Sequence, residues 1–249
     1  MTVLAIWRYP VKAMLGERLE SVAIGPGGCE GDRRYVVMDA VTGERIANKR
    51  GPTDPRLRAC RAQLADDRLR ITLPDGEVVD HGVEAALSEL LERRVRLARS
   101  NAPARGRFAA TGAHHDIAPL HVITTGALAE HGWDARRFRP NVVLDGDAEL
   151  LGGTLRAPSG LELTVGLPTP RCVVPTRAVD GLPADPSILR TIVREHRVDL
   201  GPVGRQGCLG TYAEVMRDGR LATGERLSLS PGGAPERVIR TSLARILDR

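Results

Sequence analysis

Apolar and polar residues alternate with a period of two over much of this chain, the pattern of half-buried strands. TVLAIWRY (2–9) and LESVAI (19–24) show it first, and after the glycine-rich GPGGCEGD turn it returns in RRYVVMD (33–39). RACRAQL (58–64) and RLRITLP (68–74) read as two more strands, the second closed by the turn signal Pro74-Asp75-Gly76. The period changes in VEAALSELLER (83–93), where Val83, Leu87, Leu90 and Leu91 share one helical face. The first hundred residues therefore predict a β-rich unit closed by one helix. SNAPARGRFAATGA (100–113) reads as a linker or mobile loop.

The second half repeats the mixture. APLHVITTGALAEHG (118–132) predicts a strand running into a short helix, with a threonine at 124 or 125 as its cap. RFRPNVVLDGD (137–147) ends in a strand, and TLRAPSGLELTVG (154–166) reads as a hairpin. ADPSILRTIVREHR (184–197) predicts a helix with Asp185 as N-cap, Pro186 at the first position and Ile188, Ile192 and Val193 on one side. GTYAEVMRDGRLATGERLSL (210–229) predicts a second hairpin turning at Asp218-Gly219. An amphipathic helix is expected over 235–248, through Val238, Ile239, Leu243, Ile246 and Leu247. Many short strands with scattered helices argue against a doubly wound sheet, and no internal repeat is visible.

With 249 residues the chain can form one large β-rich domain or two modest ones. Its 27 glycines and 17 prolines favour strands joined by turns over a helical bundle. The net charge is +5, and of 36 basic residues only Lys12 and Lys49 are lysines, which leaves 36 − 2 = 34 arginines. Arginine forks bind phosphates and carboxylates in a bidentate manner, so an anionic ligand is expected. Nucleic acid is not: there is no basic run, and aromatics for base stacking are only 3% of the chain. The N-terminus lacks the basic and long apolar regions of a signal peptide. No apolar run approaches the roughly 20 residues of a membrane span. These features predict a cytoplasmic protein with reduced thiols and no membrane partner.

No GxGxxG follows a strand and opens a helix, and Walker A, GxSxG and HExxH motifs are absent. The four cysteines, Cys29, Cys60, Cys172 and Cys208, form no CxxC pair. His114-His115-Asp116 resembles a metal motif, but neighbours on a strand point to opposite faces, so a polar loop is the expectation there. The stretch that raises a chemical question is PTPRCVVPTRAVDG (168–181). It sets Cys172 beside Arg171 in a segment too rich in proline to be helical. A structural cysteine wants an apolar niche, whereas a working thiolate wants a nearby positive charge. Arg171 is either that charge or a salt-bridge residue. Asp180 reads as a cap or turn for the following loop, and Cys29, Cys60 and Cys208 read as core or loop thiols.

Five segments in order then point to one family: YPVK (9–12), GDRRY (31–35), RFRPNVVLDGD (137–147), PRC (170–172) and GTY (210–212), the last ahead of TGERLSL. Together they resemble the MOSC family, the molybdenum cofactor sulfurase C-terminal domain, preceded by its usual N-terminal β-barrel domain. By pattern the chain is similar to the amidoxime-reducing molybdenum enzymes. The fold this resemblance implies is α+β and mainly β. A smaller barrel-like domain over 1–100 would precede a β-barrel MOSC domain over 101–249, with few peripheral helices.

The same resemblance implies a cofactor and a site. The cofactor is molybdenum held by a pyranopterin dithiolene with a terminal phosphate. Cys172 becomes the protein ligand to the metal and the catalytic residue. Lys12, Arg33, Thr124 or Thr125, Arg139, Asn141 and Tyr212 complete the cofactor pocket. These residue types suit it: an anionic metal–sulfur centre favours a deprotonated cysteine, a phosphate suits Lys12 and the forks of Arg33 and Arg139, and Asn141 can both donate to and accept from a pterin edge. Pro140 is expected to hold Arg139 extended, and of Arg33 and Arg34 only one, Arg33 by the motif, would face the pocket from a strand.

The implied activity is reduction of N-hydroxylated small molecules, the alternative being a non-catalytic carrier of the cofactor or of sulfur. Electrons are expected from a separate donor: a ferredoxin, a cytochrome b5-like protein or a flavin reductase. Pyridoxal phosphate is not expected, since one of the two lysines belongs to the motif. Two positions depart from the close relatives. Ala13 stands where many carry serine, and Pro170 where they often have serine; each removes a hydroxyl near the expected cofactor.

Overall fold

The computed structural model describes residues 1–46, 54–99, 117–233 and Ile239. The linker expected at 100–113, the His114-His115-Asp116 triplet and, apart from Ile239, the C-terminal helix lie outside the described residues. In chain order the first half contains β1 (Val3–Arg8), β2 (Glu17–Leu19), β3 (Ser21–Gly25), β4 (Gly28–Cys29), β5 (Tyr35–Asp39), α1 (Pro55–Ala59), β6 (Arg61–Ala65), β7 (Arg68–Thr72), β8 (Val78–Val79), α2 (Val83–Leu90) and β9 (Val95–Arg99). The second half contains β10 (Leu120–Thr124), α3 (Thr125–Ala129), β11 (Val142–Leu144), β12 (Thr154–Arg156), β13 (Glu162–Pro170), α4 (Ser187–Glu195), β14 (Arg197–Asp199), β15 (Arg205–Arg217), β16 (Gly219–Ala222) and β17 (Ser228–Ser230), with short 3₁₀ turns at Ala135–Phe138, Val174–Thr176 and Gly201–Val203. The architecture is mainly β, as the alternation predicts.

One large sheet runs β17-β12-β13-β15-β10-β11-β1-β2, with β14 joined to β15. The first two strands of the chain thus finish the sheet that carries the site. β1 pairs antiparallel with β11, and β10 pairs parallel with β11. Val3, Ile6, Leu120, Val122, Leu144, Leu163 and Val165 are among the side chains that close its core. The remaining strands form three small sheets: β16-β3-β4, β5-β9 and β6-β7-β8. A second core, built on Val11, Met14, Leu57, Ile71 and Leu87, fills the N-terminal half. Fully burying such an aliphatic side chain is worth roughly 1.5–3 kcal/mol.

Several sequence expectations need correction. Residues 58 and 59 of RACRAQL belong to α1, which Asp54 caps through its carboxylate on the Arg56 N–H; the strand starts at Arg61. Arg33 lies in a turn and Arg34 just ahead of β5, neither in a strand. β15 and β16 do not pair as a hairpin: β15 lies between β13 and β10, while β16 crosses to β3. A Cβ at Gly219 would stand 2.7 Å from Leu161 Cβ, so the Asp218-Gly219 step admits only glycine as it passes from one sheet to the next. α4 starts one residue later than expected, with Pro186 in the cap position, and Asp185 still accepts from the Ser187 N–H at 2.9 Å. Ile188 and Ile192 are buried, but Val193 is 41% exposed, because it lies a further 100° round the helix.

Candidate functional site

Both halves of the chain line one cavity of about 220 Å³. Lysine or arginine occupies eight of its lining positions, and aspartate or glutamate none. The carboxylates that answer these cations stand behind the wall. Asp32 pairs with Arg33, and Asp134 and Asp180 hold Arg136. The open face of the cavity is therefore cationic, which suits an anionic guest.

The N-terminal wall is built by the YPVK turn. Lys12 is fixed through its backbone N–H to the Tyr35 carbonyl, and Ala13 follows at φ 74°, in the left-handed region where a side chain is unusual. Tyr9 lies beneath this turn. The Arg139 guanidinium stacks 4.2 Å from its ring centroid and that of Arg33 5.0 Å away. Burial pushes the Tyr9 hydroxyl far above its ordinary pKa, although both arginines pull it down. Arg33 also donates to Asn141 Oδ1 at 3.5 Å and to the Arg139 carbonyl at 3.3 Å, and so joins the two halves.

Arg139 does not adopt the extended backbone expected before Pro140. It ends a 3₁₀ turn at φ 53°, ψ 49°. A residue preceding proline resists helical conformations. Here tertiary contacts override that preference, since Arg139 Nη1 donates to the Met14 carbonyl at 2.5 Å and the guanidinium rests on Tyr9. Asn141 is buried, and its amide serves the backbone: Oδ1 accepts from the His121 N–H at 3.1 Å and Nδ2 donates to the Trp7 carbonyl at 3.3 Å. It pins β10 to β1 where the cavity opens.

The C-terminal wall carries the thiol. β13 ends at Pro170, and Cys172 lies beyond the strand, just before the Val174–Thr176 turn. It is the one exposed thiol of four; Cys29, Cys60 and Cys208 are buried. Beside it Arg171 turns inward, donating to the carbonyls of Leu209 (2.8 Å) and Phe138 (3.2 Å) and to His121 Nε2 at 2.5 Å. No carboxylate pairs with it among the described residues, and burial pulls its pKa down to about 10. An arginine can only donate, so His121 Nε2 accepts and the ring is neutral. Burial first, then Arg171 and Arg33, holds the His121 pKa well below its ordinary value. Gly210, at φ 71°, lets β15 pass this pair, since a Cβ there would stand 2.6 Å from His121 Nε2. Tyr212 is buried against the His121 ring, with centroids 5.9 Å apart.

The cavity thus brings together Lys12, Arg33, Arg139, Asn141, Cys172 and Tyr212. Thr124 and Thr125 are not on its wall. Thr124 caps α3 by accepting from the Ala127 N–H at 3.3 Å, and Thr125 Oγ1 accepts from the Gly146 N–H at 3.0 Å. Thr124 through its cap and Thr125 through the Gly146 N–H turn their hydroxyls to the backbone and not to the pocket. Four further arginines, unforeseen from sequence, do reach the cavity: Arg58, Arg136, Arg137 and Arg177. Arg137 holds the loop after Cys172 through the carbonyls of Arg177 (3.3 Å) and Pro183 (2.8 Å). Asp180 at the far end of that loop bridges Arg136 (3.2 Å) to Arg61 of the N-terminal half (2.5 Å). Arg58 Nε is buried without a hydrogen-bond partner, and burial, then the like charge of Arg177, lowers the pKa of the group. Arg137 opens RFRPN and Arg136 immediately precedes it, so both were readable from the motif; α1 offered no such signal for Arg58.

Comparison with known proteins accounts for nearly the whole chain. Residues 1–113 match the MOSC N-terminal beta barrel domain and residues 116–228 the MOSC domain. No curated protein matches. Among solved structures, the YuaD protein of Bacillus subtilis is 12% identical, with 92% of this chain and 96% of that one covered at a TM-score of 0.41. YiiM from Geobacillus stearothermophilus is 20% identical over 45% of this chain and 54% of its own, at a TM-score of 0.31. With both domain models matched in order, the chain belongs to the MOSC family, its MOSC N-terminal beta barrel domain preceding its MOSC domain.

Proposed function

We propose that the chain binds a molybdenum–pyranopterin cofactor in this cavity, with Cys172 as the thiolate ligand to molybdenum, and that it reduces N-hydroxylated small molecules. The observation that carries the reading is the meeting of one exposed thiol with a wall of cations drawn from both halves. The donor set fits such a group. Lys12, Arg33 and Arg139 suit a phosphate, and Arg58 Nε and Thr169 Oγ1 are buried polar atoms on the wall that lack a partner within the protein.

Bound there, the cofactor would supply the two-electron oxygen chemistry: R–NHOH + 2e⁻ + 2H⁺ → R–NH₂ + H₂O. The chain's own part is positioning. The rim around Cys172 is fixed by Arg171 and by the Arg137 contacts to the loop, so the thiol meets its partner from a set direction. Arg171 puts a buried positive charge behind a thiolate that would otherwise stand beside other anionic sulfurs. The electrons come from a separate redox protein of the ferredoxin, cytochrome b5-like or flavin reductase class.

The test is elemental and pterin analysis of protein expressed with molybdate in a cofactor-competent host, wild type beside Cys172→Ala, followed by reduction of an N-hydroxylated amidine with a reduced viologen donor. Stoichiometric molybdenum lost in Cys172→Ala, with turnover in the wild type, is the expected result. Molybdenum bound through Cys172 without turnover would favour the carrier reading. No metal and no pterin in either protein would overturn both.

A further inference from the structure

Away from the cavity, the dipeptide Glu-His occurs twice, in AEHG (129–132) and REHR (194–197). The fold brings the two copies together. Glu130 follows the last turn of α3 and His196 the last turn of α4. One ligand atom each from Glu130, His131 and His196 lies within 4.8 Å of the other two. Glu195 adds a second carboxylate, with Oε2 3.0 Å from His131 Nε2 but outside hydrogen-bonding geometry. The Nε2 atoms of both histidines are buried and have no hydrogen-bond partner.

Two buried imidazole nitrogens left without donors or acceptors cost free energy unless something occupies them. Here the His131 nitrogen stands beside Glu195 Oε2, the two rings are in contact, and a Glu130 oxygen lies within 4.8 Å of a ligand nitrogen of each. The rings of His131 and His196 stand edge to face, 5.9 Å apart, and Trp133 stacks on His131 at 4.3 Å, which fixes the ring plane. Glu130 and His196 are the C-terminal cap residues of α3 and α4, the ends at which a helix carries negative potential. Arg194 engages Glu195 Oε1, so it is Oε2 that turns toward His131.

We infer that Glu130, His131, Glu195 and His196 form a binding site for a divalent transition-metal ion of the zinc class. Imidazole nitrogen with carboxylate oxygen is the donor set such an ion takes. Ligands about 2.0–2.2 Å from a tetrahedral ion sit about 3.4 Å apart, so ligand atoms within 4.8 Å of one another need to close in by at most about 1.4 Å. The ion would tie three elements: the turn after α3, the end of α4 and, through the Cys208 N–H to the His196 carbonyl (2.8 Å), strand β15. Its role there is structural, and the site stands independently of the function proposed for the cavity.

The experiment uses the full chain, stripped with a chelator, both as wild type and as Cys172→Ala so that the exposed thiol is removed as a competing ligand. Zn²⁺ is titrated by calorimetry. Co²⁺ is followed by its visible absorption and by quenching of Trp133, one of only two tryptophans in the chain. The expected result is one Zn²⁺ per chain in both proteins, a thermal midpoint raised by several degrees at about 100 times Kd, and affinity at least tenfold weaker in His196→Gln and His131→Gln. Should either variant fail to fold, Glu130→Gln, at an exposed position, must weaken binding in its place. The proposal is overturned by no binding at micromolar ion, by binding lost in Cys172→Ala, or by binding unchanged in the Glu130, His131 and His196 variants.

Discussion

The end of β13 and the interior of β15 each present a cysteine to the same buried guanidinium. Cys172 lies two residues past Pro170, and Pro170 is paired in register with Cys208. Both sulfurs interact with the Arg171 guanidinium. Cys208 packs with Leu167, Leu200 and Tyr212, and burial holds its pKa up at about 11 in spite of that charge. Cys172 has left the strand and meets the cavity. A neighbouring cation does not by itself make a thiol a ligand; where the strand ends decides which thiol the cation serves.

Four measurements would break or sharpen this contrast. The largest difference is expected in alkylation of the folded protein at pH 8. A thiol of pKa about 11 is about one part in a thousand thiolate there, so iodoacetamide should label Cys172 and leave Cys208 unmodified until the protein unfolds. Peptide mass mapping reads this out, and comparable labelling of both would end the distinction. Next is the cation between them. Arg171→Met leaves the carbonyls of Leu209 and Phe138 without their donor and should cost about 2–3 kcal/mol in denaturant unfolding. Cys172→Ala, at an exposed site, should stay within about 0.5 kcal/mol.

The acid side gives a smaller effect through His121. Its folded pKa is depressed below the unfolded value of about 6.5, so the unfolded chain binds the proton first. The stability contributed by the neutral ring is present above that value and lost as pH falls below it. Wild type should therefore lose stability below about pH 6.5, and His121→Gln should flatten that slope; parallel slopes would show the ring to be uninvolved. The smallest effect is expected of Asp180→Asn. Its two ion pairs are partly exposed and together worth at most about 1 kcal/mol, yet the variant should quicken proteolysis between 173 and 183 by loosening the loop beside Cys172.

Much of this was legible in the sequence, and the failures share a cause. Period-two alternation marks β1, β3, β7 and β13, and the 3.6 period marks α2, because each of these faces one core. The sequence left the cap of α3 open between Thr124 and Thr125; it is Thr124, whose hydroxyl is turned to the Ala127 N–H and not to the cavity. Arg139 defeated the rule for residues before proline because its guanidinium has a carbonyl and an aromatic ring to satisfy from another part of the chain. The partner of β16 was invisible because a turn dipeptide says that the chain reverses and not which sheet receives it. Arg58 was missed for the same reason. It reaches the cavity by tertiary packing of α1, which no local pattern encodes.

The pairing of β1 with β11 also has a consequence for biosynthesis. Val3 and its partner Leu144 are more than a hundred residues apart, so Leu144 emerges long after Val3. Until then β1 has β2 on one side only, and its other edge is open, a state that invites pairing with other chains. A fragment cut at the family boundary, residues 116–228, would lack β1 and leave β11 as such an edge in the finished product. The two halves named by sequence therefore share a sheet as well as a cavity, and the cavity closes only once Tyr212 has followed Lys12 by two hundred residues.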